Sequence, residues 1–235
     1  MIDGVLMREI ESGYRKVSGL RNRSQYKIFY TPIQTAPVLA LGINPAGEPA
    51  EIMPDGMRDR LNPNTRHAAS AKYYENGESD LVDCNWRENR ITELLEDILS
   101  CNREGLRQRV VKTNLAFRRA PRGAIKKLHG MSMAQAMDEA IPFLTKIIKA
   151  ARPKLIVLGG VKMDDFTSRY CRHVDVMAEP EREPDVRQIV YYPALVRLQS
   201  GGSKVLAVQV AHASQFGWTY RRYDVARRIR ELRAL

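Results

Sequence analysis

No two of the three cysteines, Cys84, Cys101 and Cys171, stand at a C-x-x-C spacing, and an odd number spread this widely sets up no disulfide framework. Neither a zinc nor an iron–sulfur ligand set can be read from them, so reduced, structural thiols and no metal are expected. Long apolar runs are lacking as well. No stretch approaches the length that spans a bilayer, and the first residues, MIDGVLMREIESGYRKV, scatter charges where a signal peptide would carry an unbroken apolar region. A cytoplasmic protein, nucleoid-associated if prokaryotic, with no membrane partner is the expectation. Several catalytic signatures are missing too: G-x-x-x-x-G-K-[ST], G-x-G-x-x-G after a strand, the G-x-S-x-G elbow, and H-x-E with P-C-x-x-C. P-loop nucleotide hydrolysis, dinucleotide redox chemistry, esterase chemistry and zinc deamination lose support, and no cofactor is implied.

What the chain has in excess is positive charge. Thirty-eight Lys plus Arg against 27 Asp plus Glu gives +11 and a pI near 9.7, which favours a polyanionic partner. With 235 residues and 44% hydrophobic content, one domain over 1–235 with one sizeable core is expected.

Four near-continuous apolar runs read as parallel strands covered on both faces: Val38 to Gly42, Arg109 to Asn114, Lys154 to Gly160 and Lys204 to Val210. Between them lie helical patterns. From Glu88 to Cys101, residues Ile91, Leu94, Leu95, Ile98 and Leu99 draw one apolar stripe. A second stripe runs from Met133 to Ala151, where Pro142 is expected to kink the helix or start another, and Pro153 to end it. A carboxy-terminal helix is expected from about Tyr220 to Leu235. This alternation predicts an α/β fold: a three-layer α/β/α sandwich around a central four-stranded parallel sheet with right-handed crossovers. Residues 1–35 read as an amino-terminal extension, 46–86 as a long loop region on the substrate side, and Glu179 to Pro184 (EPEREP) as a solvated surface loop.

Ligands in open α/β sheets bind beyond the carboxyl ends of the strands. Here those ends carry Gly42-Ile43-Asn44-Pro45, Asn114, Gly159-Gly160 and, after the fourth strand, Ala211-His212-Ala213-Ser214. Asn44, Asn114 and His212 are thereby expected at one rim, with Asn44 held by the rigid turn its proline enforces.

At these positions the sequence resembles the uracil-DNA glycosylase superfamily. GINPAG (Gly42 to Gly47) is similar to the GINPG first motif of the mismatch-specific and thymine-DNA glycosylase branch. HAS (His212 to Ser214) resembles its HPS second motif, and VVKTNLAFRRAP the strand and basic loop between them. The resemblance covers Val38 to about Trp218. It implies a monofunctional DNA glycosylase that hydrolyses the N-glycosidic bond of uracil or of a mismatched or 5-modified pyrimidine. Asn44 would position the attacking water, and His212 would stabilise charge on the departing base or contact a phosphate. Gly42, Ile43, Pro45, Ala46, Asn114 and Ser214 would form the base pocket. Uracil-restricted members carry tyrosine where this chain has Ala46, so a roomier pocket is implied, extending to bulky modified cytosines in phage DNA and hence to antiviral defence. His212 is followed by Ala213 instead of proline, which changes the backbone path expected after the second motif.

A glycosylase must neutralise phosphates and extrude its base. From Arg103 to Lys127 there are nine Lys or Arg and one acid, with Arg118, Arg119 and Arg122 just beyond the second strand. After the second motif, Gln215, Phe216 and Trp218 stand where the family carries its wedge, followed by Arg221 and Arg222, while Tyr73, Tyr74 and Trp86 are candidates to stack on a base. The partner implied is DNA, engaged by a monomer. Two other classes fit the composition: a non-catalytic nucleic-acid-binding protein retaining the same fold, and a small-molecule α/β enzyme acting on an acidic substrate.

Overall fold

In the computed structural model the described residues are 1–20, 25–45, 74–83, 90–121, 123–184, 188–212 and 218–233. The four apolar runs are strands: β1 (Val38–Gly42), β2 (Val110–Asn114), β3 (Leu155–Gly159) and β7 (Val205–Val210). All are parallel, β1 pairing with β2 and β3, and β3 with β7. Their carboxyl ends therefore lie along one edge. Among the described residues, however, the sheet has seven strands, not four. Its order is β2-β1-β3-β7-β6-β4, with β6 (Ile189–Leu198) antiparallel to β7, β4 (Cys171–Val176) antiparallel to β6, and the two-residue β5 (Glu181–Arg182) also on β6.

Alternate residues of the parallel strands enter two separate apolar clusters. Leu39 and Leu41 of β1 share one with Ile156 and Leu158 of β3 and with helices α1 (Gly4–Ser18), α4 (Met133–Ala151) and α5 (Met163–Tyr170). Val38 and Ala40 share the other with Leu155, Val157 and helices α2 (Arg90–Leu99) and α7 (Val225–Arg233). The fold is thus mixed α/β, a mostly parallel central sheet flanked by helices. Burial of both strand faces is why period-2 alternation is absent from these runs.

Local chemistry sets the helix limits. Asp3 caps α1 by accepting from Leu6 N at 2.9 Å, and Ser132 with Gln135 forms a reciprocal capping box on α4. The α4 helix runs through Pro142 as a single element and ends at Arg152, correcting the expectation of a second helix there. The carboxy-terminal helix is divided into α6 (Thr219–Arg222) and α7, because Asp224 takes a left-handed φ of 49°. A short helix, α3 (Ile125–His129), follows the loop after β2.

The amino-terminal residues are integral to the sheet edge. Residues 25–31 run antiparallel to the chain leaving β2: Lys27 N donates to Phe117 O and Arg119 N to Gln25 O, both at 2.8 Å. Thr113 Oγ1 donates to Ile28 O at 2.6 Å and Lys112 N to Thr31 Oγ1 at 2.9 Å. The EPEREP stretch is only partly the solvated loop expected: Glu179, Arg182 and Pro184 are exposed, but its middle is packed. Glu181 and Arg182 pair with β6, and Glu183, 1% exposed, accepts from Tyr223 Oη at 2.9 Å and Arg222 Nη1 at 3.3 Å. Among the described residues no helix is long and apolar enough to cross a membrane.

Candidate functional site

The chain leaving β1 continues as a hydrogen-bonded companion to the chain leaving β2. Leu115 N and Ala116 N donate to Gly42 O and Ile43 O at 2.8 Å, and Ala120 N to Pro45 O at 3.0 Å. Asn44 closes this bracket. Its Nδ2 donates to Pro45 O at 3.0 Å and to Ala120 O at 2.9 Å. An amide nitrogen has two hydrogens, and both are spent on backbone carbonyls. That fixes which way round the amide sits and leaves Oδ1 as the atom able to accept from a bound water.

Asn114 ends β2 directly beside Gly42, its registered partner across the ladder. It is almost fully buried, and its Nδ2 donates to Tyr30 Oη at 2.9 Å. Only glycine permits this closeness, since a Cβ on Gly42 would sit 2.4 Å from Asn114 Oδ1. The end of β3 repeats the device. Gly160, at φ 71°, donates its N–H to Val210 O at 2.9 Å, and a Cβ there would sit 2.6 Å from His212 Cδ2 and 2.8 Å from His212 Cβ. His212 thus rests on the backbone of β3. Tyr220 on α6 holds the preceding residue, donating its hydroxyl to Ala211 O at 2.6 Å. Three of the predicted site residues therefore stand on three parallel strand ends, two of them against glycines that give them room. Gly160→Ala is expected to lower stability by about 1–3 kcal/mol, from left-handed strain plus overlap with the imidazole. Urea denaturation measures the cost, and the His212 ring NMR signals should shift while those of Asn114 do not.

Gly42, Ile43 and Pro45 lie where the sequence places them, half-buried or buried at the β1 end. Ala46 and Ser214 lie outside the described residues, as do Arg122, Gln215, Phe216, Tyr73 and Trp86. The basic loop after β2 differs from expectation. Arg118 and Arg119 are 6% and 3% exposed. Arg118 forks onto Glu139 of α4, Nε to Oε1 at 3.0 Å and Nη2 to Oε2 at 2.6 Å, and also donates to Ser18 O at the end of α1. Such a guanidinium is an internal clamp with no face left for phosphate. Arg119 O accepts from His129 Nε2 at 2.7 Å, tying α3 to the same loop. Tyr74 is also internal: fully buried, tilted against Phe29 and donating to Asp80 Oδ1 at 3.3 Å, so it offers no stacking surface.

Of the described residues among the predicted DNA contacts, the exposed ones lie after the second motif. Trp218 is 48% exposed, with the Arg222 guanidinium carbon 5.6 Å from its ring centroid, and the Arg221 side chain is 79% exposed, 3.6 Å from Glu93. Glu183, itself buried, holds Arg222, so this corner has one arginine anchored against an indole and one largely exposed arginine paired with the surface carboxylate of Glu93. Trp218, Arg221 and the amino terminus of α2 at Arg90 line a cavity of about 240 Å³ that descends between α2 and α7.

Among the described residues no three His, Cys, Asp or Glu side chains gather to hold a metal ion. Burial pushes the Cys171 thiol up to about 12, which suits a structural thiol. Tyr30 and Tyr220, which hold Asn114 and the residue before His212, went unread in the sequence. No short-range pattern joins position 30 to 114, though Tyr220 could have been sought as the first aromatic of the helix after the second motif. Compared with protein-family models and with curated proteins, the chain matches none.

Proposed function

We propose that this protein is a DNA glycosylase, built as a three-layer α/β/α sandwich, that hydrolyses the N-glycosidic bond of uracil or of a mismatched or 5-modified pyrimidine. The observation that carries this reading is the Asn44 amide, locked by two backbone carbonyls with Oδ1 left over at a strand-end rim shared with Asn114 and His212. The reaction breaks the bond between the anomeric carbon and the base nitrogen. Its electron pair leaves with the base, and water adds to the oxocarbenium-like sugar. An amide is a poor general base, but a fixed one orders water at the face where the sugar becomes cationic. The His212 imidazole, steadied by Gly160 and by the Tyr220 bond to Ala211 O, donates an N–H toward the anionic base. Asn114 supplies a donor and an acceptor to the base edge.

DNA contact falls to the corner of Trp218, Arg221 and Arg222 rather than to Arg118 and Arg119. We place the protein in the cytoplasm as a DNA-associated monomer. Ala46 argues for a pocket open to C5 substituents, which extends the reading to bulky modified cytosines of phage DNA and a defence role.

End-labelled duplexes carrying a single uracil, a G·T mismatch or a glucosylated hydroxymethylcytosine test this directly. Alkali after incubation should cut at least one of them at the modified position. If none is cut while duplex binding is tight and falls steeply with salt, the protein is a nucleic-acid-binding module that keeps the fold, a reading the exposed Trp218 and Arg221 would serve equally well.

A further inference from the structure

The sheet ends at β4, and among the described residues no strand lies beyond it. Met177 N donates to Pro193 O at 3.1 Å, which fixes the alternation of the ladder: His173, Asp175 and Met177 turn their backbone groups toward β6. Val174 and Val176 therefore turn N–H and C=O outward, where a further strand would find them.

The side chains of this edge divide cleanly between the two faces. Val174 stands opposite Val196 and Val176 opposite Ala194, both in the apolar cluster shared with α1, α4 and α5. Opposed residues of an antiparallel ladder share a face. The two valines thus carry that apolar layer past the last strand, where they are 37% and 53% exposed. The other face is charged. His173 stands opposite Arg197, and Asp175 pairs with Lys204 and with His173 Nε2, the latter at 2.6 Å. Arg172 and Arg197 are exposed, so cations outnumber the single carboxylate, which is already engaged twice.

We propose that the β4 edge is a docking site for an extended acidic segment of a partner protein, which joins the sheet as an added strand. The backbone of the segment pairs with Val174 and Val176. Apolar side chains at every second position cover the two valines, and acidic ones between them face Arg197, Lys204 and His173. A strand presents alternate residues to opposite faces, so one alternating sequence serves the apolar and the cationic face at once. A second copy of this chain would bring the same cations to the same edge, like charge against like. A nucleic acid brings neither a peptide ladder nor an apolar face. This inference goes beyond the glycosylase reading and does not depend on it, because β4 lies beyond β6, away from the parallel strand ends.

The probe is an end-blocked peptide of alternating glutamate and valine, added to the ¹⁵N-labelled full chain, with a lysine-valine peptide as the control. The glutamate-valine peptide should shift the Val174 and Val176 backbone amides, slow their hydrogen exchange, and bind more weakly as salt is raised. The control should do none of these. Val174→Pro deletes an N–H that points away from β6, so the sheet is retained while affinity falls roughly tenfold. Arg197→Glu alters only an exposed side chain and should transfer the preference from the glutamate-valine to the lysine-valine peptide. Equal responses to the two peptides, no response at millimolar peptide, or binding that both variants leave unchanged overturns the proposal. So do shifts at Val174 and Val176 that arise from raising the protein concentration alone, which would mark a contact between copies, or from duplex DNA in place of peptide, which would mark a phosphate contact.

Discussion

Asn44→Ala is expected to slow base release by about 10²–10³-fold while leaving affinity for duplex DNA within a factor of about two, because one fixed water-orienting group is lost and no phosphate contact is touched. The variant also loses two hydrogen bonds, to Pro45 O and Ala120 O, so a stability loss of about 1–3 kcal/mol accompanies it. Single-turnover rates at saturating enzyme separate the two effects, since a fold defect lowers the active fraction and a catalytic defect lowers the rate constant. Asn44→Asp is the sharper variant. A carboxylate is the stronger base in water, yet here one of its oxygens would face the two carbonyls that now accept from Nδ2. The bracket between the β1 and β2 loops would be repelled instead of closed. Asn44→Asp is therefore expected to be less stable than Asn44→Ala and no faster than the wild type. An aspartate variant that is both stable and faster would show that the amide orientation does not matter.

The second large effect concerns a residue that charge counting assigns to DNA. Arg118→Ala is expected to cost about 3–5 kcal/mol of folding free energy, the usual result of stripping one partner from a buried, hydrogen-bonded ion pair. Glu139 would be left beneath the rim, facing the Tyr14 hydroxyl at 2.6 Å and no cation. Burial first, and then the Glu139 bond and charge, hold the Tyr14 hydroxyl far above the usual phenol range, so it stays a donor and cannot relieve the loss. Replacing both partners by apolar residues, Arg118→Met with Glu139→Leu, should recover part of the stability: the uncompensated charge is gone, but the buried Tyr14 hydroxyl loses its acceptor and Ser18 O its donor. The urea midpoint reads both. In the same proteins the salt dependence of DNA affinity should be unchanged for the double variant, and lowered for Arg221→Ala, whose side chain is exposed.

Why some parts of this structure were readable and others not follows from where each residue lies. The β1, β2, β3 and β7 strands are covered on both faces, so each writes a short apolar run that no loop imitates. The three other strands, β6 inside the sheet and β4 and β5 paired to it, are masked in different ways. β4 is mostly exposed and polar (CRHVDV), β5 is two residues long, and β6 carries Pro193 inside its ladder, a residue that argues against an inner strand. Pro193 is accommodated opposite Val208, and its carbonyl still accepts from Met177 N at 3.1 Å. Asn44, Asn114 and His212 were legible because strand ends in a parallel sheet share an edge by topology alone. Tyr30 was not, since its meeting with Asn114 depends on an antiparallel pairing of the 25–31 segment that no periodicity announces. Arg118 and Arg119 mislead for a related reason. Sequence supplies their charge but not their burial, nor, for Arg118, the acid it pairs with, Glu139 on α4.

Mass spectrometry of the small molecules released when the protein is incubated with uracil-containing, mismatched and glucosylated phage DNA tests the central claim most directly. The account predicts a free pyrimidine base in the filtrate, an intact phosphodiester chain bearing an abasic sugar, and loss of that base with Asn44→Ala. Release of nucleotides instead of bases, or a base yield that Asn44→Ala leaves untouched, would contradict it.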